Sequence, residues 1–236
     1  NGVVVITTKR PEPGRLQLTY RGGVNIEAPD FTSYNLLDAR EKLEYEKLAG
    51  VYSIGNVEFD QKMKDLYNKR MLDVARGVNT YWLKYPVRTG VGHRHSLRLE
   101  GGDEAFRYAA GLSYNHVAGT MKGSDRTTIN GNVFLSYNYK NLTFQNDLQV
   151  SNNKAKNSPY GTFSDFSQIN SYLKPYDDEG NILKYADNET YATTKTINPL
   201  YNALLPYKNE TKYTSITDNF SIEWRILPEL TARGTF

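Results

Sequence analysis

The chain has 236 residues, 39% of them hydrophobic, a mean hydropathy of −0.64 and a formal net charge of +3. That length holds one large domain or two small ones, and so mild a charge carries no nucleic-acid footprint. The sequence contains no Cys, which excludes a disulfide framework and thiolate metal sites. No apolar run approaches the ~18 residues that a membrane-spanning helix needs.

Residues 2–8 (GVVVITT) form a β-branched run expected of a strand buried on both faces. Pro11, Pro13 and Gly14 then break it. From Leu16 a different pattern begins. Leu16, Leu18, Tyr20, Val24 and Ile26 share one parity, while Gln17, Thr19, Arg21, Asn25 and Glu27 share the other. Side chains of a strand point to opposite faces with period two, so this is a strand with one apolar and one polar face.

Residues 29–92 differ in kind. Asn35 is placed to cap a helix that carries Leu36, Ala39 and Leu43 along one side and ends near Gly50. A second helix follows Asn56, with Phe59, Met63, Leu66, Tyr67, Met71 and Val74 at helical spacing and a stop near Gly77. Its polar face mixes acids and bases, so the apolar stripe is expected to pack against neighbours and not to lie on a membrane surface.

Alternation resumes near residue 93. Together with the first strand it predicts seven strands, at about 16–27, 93–101, 104–117, 126–139, 142–153, 213–227 and 230–236. Tight turns are expected at Gly101-Gly102-Asp103-Glu104, Lys140-Asn141 and Leu227-Pro228-Glu229. The other connections are longer, and residues 152–212 form an extended, polar, Tyr-rich excursion. Alternating short turns and long loops, with strands of the ~9–11 residues that cross hydrocarbon at a tilt, favour an up-and-down transmembrane barrel over a soluble sandwich.

In a barrel the apolar parity faces lipid. The opposite register would put Arg21, Arg98, Arg107, Arg225 and Arg233 into the bilayer at about 2–4 kcal/mol each near the midplane. Arg21, Glu27, Arg98, Glu100, Arg107, Asp147, Glu223, Arg225 and Arg233 are therefore expected to line a polar lumen. Tyr114, Tyr137, Tyr139 and Trp224 sit toward strand ends, where aromatic girdles form.

Chemistry-bearing motifs are sparse. His93 and His95 share a strand face, but with only His116 besides them a closed metal site is not expected. Asp177-Asp178-Glu179-Gly180-Asn181 lacks the spaced acids and closing Glu of an EF-hand and reads as a solvated turn. Asn141, Asn188 and Asn209 open chance glycosylation sequons. No paired carboxylates, catalytic triad or phosphate-cradling Gly loop stands out, so neither enzyme activity nor a cofactor is expected. If the loops bind sugar by aromatic stacking, Tyr160, Phe163, Phe166, Tyr172 and Tyr176 are the candidates. Packing within the loop, or contact with a lid, is an equal alternative for these rings.

Several strings resemble a known family. Asn1-Gly2-Val3-Val4-Val5-Ile6-Thr7-Thr8-Lys9 is similar to the end of the plug domain in SusC/RagA-type TonB-dependent outer-membrane transporters. Trp82-Leu83, Arg88-Thr89-Gly90 and the run from His95 to Gly102 resemble the family's entry into its second barrel strand, and residues 119–125 (GTMKGSD) follow in the family's order. Tyr81 stands where the family usually has an acidic residue, and Lys84 appears in place of another. The resemblance implies an all-β transmembrane barrel of about twenty-two strands around a plug. It implies TonB-powered import of oligosaccharides or peptides across a bacterial outer membrane, with a SusD-like surface lipoprotein as lid. Residues 1–15 would then be the plug end and linker, and residues 16–236 the first seven barrel strands with a helical insertion in the first external loop. The chain opens and closes in mid-strand, as expected of a piece of a longer protein whose remaining strands, or another chain, pair with both edges. Two other readings compete: an all-β surface binding or adhesion module without transport, and a passive porin, which a plug strand at residues 2–8 would disfavour.

Overall fold

The computed structural model describes residues 11–189 and 195–236. The expected plug strand at residues 2–8 lies outside the described residues. Seven long strands form one antiparallel sheet: β1 (Gly14–Glu27), β2 (Gly90–Gly102), β3 (Phe106–Ala118), β4 (Asp125–Tyr139), β5 (Leu142–Lys156), β8 (Glu210–Leu227) and β9 (Leu230–Thr235). They pair in chain order, interrupted only by a two-stranded ribbon, β6 (Tyr185–Asp187) with β7 (Thr196–Ile197), inside the last long loop. Among the described residues the sheet stays open, and β1 and β9 are its edges.

Each expected strand forms, and β2, β5 and β8 run three residues further toward the long-loop end than alternation alone suggests. Backbone pairing carries them there: Lys156 still pairs with Glu210 although neither continues an apolar pattern. Between β4 and β5 the turn is Lys140-Asn141, with Lys140 at φ 53. Gly101 and Gly102, by contrast, belong to β2. The β2–β3 turn closes at Asp103, whose carboxylate accepts from the backbone N–H of Ala105 (2.8 Å) and Phe106 (2.7 Å). Those bonds hold the carboxyl below the usual carboxylate range.

Register sorts the side chains into rows. Tyr20, Leu97, Leu112, Gly131, Val150 and Ile216 make one row across six strands, and Leu18, Leu99, Ala110, Val133 and Leu148 make the next. The opposite face carries Arg21, Ser96, Ser113, Asn130, Ser151 and Ser215, then Thr19, Arg98, Gly111, Asn132, Gln149 and Thr217. Aromatic side chains gather toward the short-turn end of the apolar face, where Phe106 opposes Tyr137, Tyr137 opposes Phe144 and Leu142 opposes Trp224. In the middle of this face one polar pair interrupts the apolar rows: Asn146 donates to Asp218 at 2.6 Å, each satisfying part of the other's hydrogen-bonding demand.

Among the described residues nothing covers the apolar face. Leu18, Leu112 and Ile216 are 65%, 57% and 70% exposed, and every residue of β1 and β9 is exposed. The buried core lies instead in the long loops, where Ala39, Leu43, Met63, Leu66, Trp82, Leu83, Phe166 and Leu200 pack together. Two helices supply Ala39, Leu43, Met63 and Leu66 of it. In α1 (Ala39–Leu48) the N-cap is Asp38, not Asn35. Asp38 accepts from the Glu41 N–H at 2.8 Å and Glu41 accepts from the Asp38 N–H at 2.9 Å, a reciprocal capping box that Asn35 has no partner to make. Leu36 consequently lies outside the helix and is exposed. The second helix, α2 (Val57–Ala75), is capped by Asn56 as its spacing predicts and buries Met63 and Leu66.

Gly102 sits at φ +124, with the backbone of Phe106 and Arg107 where a Cβ would stand. Gly102→Ala is expected to destabilise the β2–β3 turn by roughly 1–3 kcal/mol, read as a lower denaturant midpoint. An unchanged midpoint would contradict this backbone geometry.

Candidate functional site

Two regions concentrate polar groups in concave surroundings. The first is the polar face of the sheet. At Gly111 the Asn132 amide takes the place a side chain would fill, and the face dips into a trough of about 540 Å³ lined by Thr19, Arg21, Ser96, Arg98, Glu100 and Ser113, among others. Arg98 is paired with Glu100 at 2.9 Å. A ladder of neutral hydrogen bonds crosses the strands beside it: Asn130 donates to Ser113 (3.3 Å), Ser151 to Asn130 (2.7 Å) and Asn153 to Thr128 (2.9 Å). Register puts Arg21, Glu27, Arg98, Glu100, Arg107, Asp147, Glu223, Arg225 and Arg233 on this one face, with Glu223 directly opposite Arg233. Phe134 shares the face, flanked by Ala109 and Asp147.

The second region is the loop assembly at the long-loop end. Here the loop between β1 and β2 meets the loop between β5 and β8. Trp82, 2% exposed, donates its indole N–H to the carbonyl of Asn170 at 3.1 Å, and the Thr80 N–H donates to the Ser171 carbonyl at 2.8 Å. A cavity of about 410 Å³ opens along this seam, lined by residues that include Asn35, Leu37, Lys42, Asn79, Tyr81 and Gln168. Several polar groups on the seam already hold the loops: Asn79 accepts from the Ala39 N–H, and Ser171 donates to the Leu37 carbonyl. The side chains of Asn35 and Gln168 make no hydrogen bond among the described residues, so amide donors and acceptors face the cavity beside apolar and aromatic surface. That mixture suits a neutral polar ligand, with hydroxyls or amides to satisfy and a flat face to cover.

Beneath the seam lies a buried polar clasp. Glu46, 7% exposed, accepts from Tyr52 OH (2.7 Å) and Tyr172 OH (3.0 Å). Arg70 donates to Tyr52 OH (3.0 Å) and to Asp187 (2.6 Å), and its guanidinium lies 4.7 Å over the Tyr172 ring. Burial, reinforced by Glu46, pushes the Tyr52 phenol up to about 12. Burial also pushes Tyr172 up, against the opposing pull of Arg70. Burial works against the Arg70 charge, but Tyr172, Tyr52 and Asp187 outweigh it and keep the guanidinium protonated. Sequence spacing carries no signal for this clasp, because Arg70 and Asp187 stand 117 residues apart and Arg70 occupies an ordinary helix-surface position.

The five loop aromatics separate into two groups. Phe166 and Tyr172 are buried in the loop core and present no ring face to a ligand, so burial assigns them to packing. Tyr160 and Phe163 are partly buried against that core, with Phe163 stacked on Phe31 at 6.5 Å. Tyr176 is at the surface, edge-on to Tyr85 at 6.1 Å. The Asp177 turn closes on itself, Asn181 donating through its backbone and side chain to the Asp177 carboxylate. Among the described residues no three His, Asp or Glu side chains converge as metal ligands.

The loop packing is expected to weaken from pH 10 to about 12. Tyr52 keeps its proton in the folded loop to about 12 but loses it at the ordinary 10.0 when unfolded, so the unfolded form gains as pH rises through that window. An ultraviolet titration checks this: phenolate signal from Tyr52 should appear only as the loop opens. Trp82→Ala is expected to cost the loop core about 3–5 kcal/mol while the sheet stays intact, read by hydrogen exchange confined to α1 and α2.

No protein-family model matches the chain, and no curated protein matches it. Among solved structures it resembles the one described as the RagAB peptide transporter, with a TM-score of 0.70 and 17% identity. The likeness covers 97% of this chain and 28% of that one, so the chain spans well under a third of its neighbour's length. At that identity the shared property is the fold.

Proposed function

We propose that the chain is a wall section of an outer-membrane β-barrel that imports oligosaccharides or peptides, powered through TonB and covered at its loop end by a SusD-like lipoprotein. The supporting observation is the uncovered apolar face. Between their ends the strands present a greasy surface that no second layer covers among the described residues, while the arginines of the sheet occupy the other face and Asp218 is the one charge in the middle of the greasy side. A soluble sandwich would bury that surface against a second sheet. In a bilayer it needs no such partner, and remaining strands closing the barrel satisfy both edges.

On this reading the polar trough faces the lumen, and the loop assembly stands at the outer mouth. The loop core gives a lid something firm to sit on, and the cavity beside Asn35 and Gln168 is a first contact for cargo. The wall itself needs no catalytic group, since the chemistry of import is binding and release. The peptide-transporter fold of the structural neighbour supports a transport role of this kind.

Single-cysteine variants test the reading cleanly, because the chain has no Cys of its own. Val133→Cys and Ile222→Cys in native membranes are expected to react only with a lipid-partitioning maleimide. Asn132→Cys and Ser113→Cys are expected to react with a water-soluble one. Reversal of that pattern, or a protein that leaves the membrane without detergent, would sink the importer and favour a surface adhesion module. Val133→Arg should also cost about 2–4 kcal/mol in refolding into vesicles.

A further inference from the structure

The long-loop end of the apolar face carries cations where the rest carries hydrocarbon. One row of the sheet reads Val24, His93, His116, Thr127, Lys154 and Lys212 across β1, β2, β3, β4, β5 and β8. Lys154 stands directly opposite Lys212. Like charges in that position repel, and a sheet normally avoids them. Lys154 has no ion-pair partner among the described residues. The acids nearby are one row further out: Glu210 lies 4.0 Å from Lys212 and is shared with Lys208 at 3.6 Å, and Asp125 faces Lys156.

Two imidazoles here meet hydroxyls, His116 in this row and His95 in the next row inward. His116 Nδ1 is 3.0 Å from the Thr127 hydroxyl, and His95 Nδ1 is 2.6 Å from the Tyr20 hydroxyl. Each contact engages Nδ1 and leaves Nε2 as the ring's second polar atom, a donor when the hydroxyl donates to Nδ1. His93 wedges the group together, its ring 5.6 Å from Tyr114 and 5.5 Å from His116.

Directly below, the apolar face is indented. Gly131 and Ala110 interrupt the flanking Leu97, Leu112, Val133 and Val150, leaving an almost wholly apolar groove of about 320 Å³. Gly131 lies four residues along β4 from Thr127, so groove and cation row are about 13 Å apart along the strand. Tyr114, Ile129 and Asn152 occupy the row between them.

We propose that this patch binds one phosphorylated acyl lipid of the loop-side leaflet, its chain in the Gly131 groove and its phosphate between His116, Lys154 and Lys212. The inference rests on the membrane reading above and adds to it a specific lipid site. A phosphate relieves the Lys154–Lys212 repulsion and meets His116 in the same row, accepting from its Nε2–H when the Thr127 hydroxyl donates to Nδ1, and the groove sets the lipid's depth. Neither half alone selects such a lipid, whereas the groove and the cation row together match its two ends.

The test is native mass spectrometry of the full-length protein, purified in detergent from its membrane and titrated with dioleoyl phosphatidic acid, dioleoyl phosphatidylcholine or dioleoylglycerol. Phosphatidic acid is expected to be retained in a single copy, at least about tenfold more tightly than the other two. Lys154→Gln combined with His116→Gln should remove that preference. Gly131→Leu should weaken phosphatidic acid binding about tenfold by filling the groove, and it fits without strain because a Cβ there meets nothing closer than 4.0 Å. Equal retention of all three lipids, an unchanged preference in either variant, or displacement by inorganic phosphate would overturn the site. A barrel that stays in the membrane yet treats the lipids alike defeats only this inference, whereas a protein needing no detergent defeats the importer reading itself.

Discussion

Backbone pairing across the seven strands is the constraint from which the rest follows. Once β1 to β5, β8 and β9 are zipped edge to edge, each side chain has only two directions to point. A slip of one residue would exchange Leu112 for Ser113 and Leu99 for Arg98 on every row at once, so the register is held by all strands together. The segregated faces are thus a collective property, and no single contact creates them. The Asn146–Asp218 pair shows the tolerance of that arrangement: two polar groups persist on the greasy side because each is the other's partner.

The division of labour between sheet and loops inverts the usual plan of a globular domain, in which the sheet carries the core. Here the sheet buries little, while helices and irregular loop segments hold Trp82, Phe166, Leu43 and Leu83 almost completely out of solvent. A loop region with its own core keeps a defined shape independently of the pairing in the sheet. That separation lets the loops vary in sequence without disturbing the strands that carry them.

Much of the sheet was legible in the sequence because its signal is strictly local. Alternation such as Phe106, Tyr108, Ala110, Leu112, Tyr114 needs no partner to be recognised, and the charged parity needs only the rule that charge avoids hydrocarbon. The α2 helix was legible for the same reason, with Asn56 and the Met63–Leu66 stripe in view. The misreadings have a common cause. Asn35 and Asp38 are equally good caps in isolation, and only the return bond from Glu41 separates them. For Phe166 and Tyr172 stacking and packing stay equal in the sequence, because a polar, Pro-rich neighbourhood hides the core that encloses them. The cavity at the loop seam and the Lys154–Lys212 opposition depend on which distant strands and loops meet, and no spacing along one strand encodes that.

The clasp centred on Arg70 also ties two distant stretches of chain together. Its two ends, on α2 and on the last long loop, stand 117 residues apart, so joining them removes conformational freedom from both loops at once. Cutting it frees α2 and the loop between β5 and β8 together, while the strands between them keep their pairing.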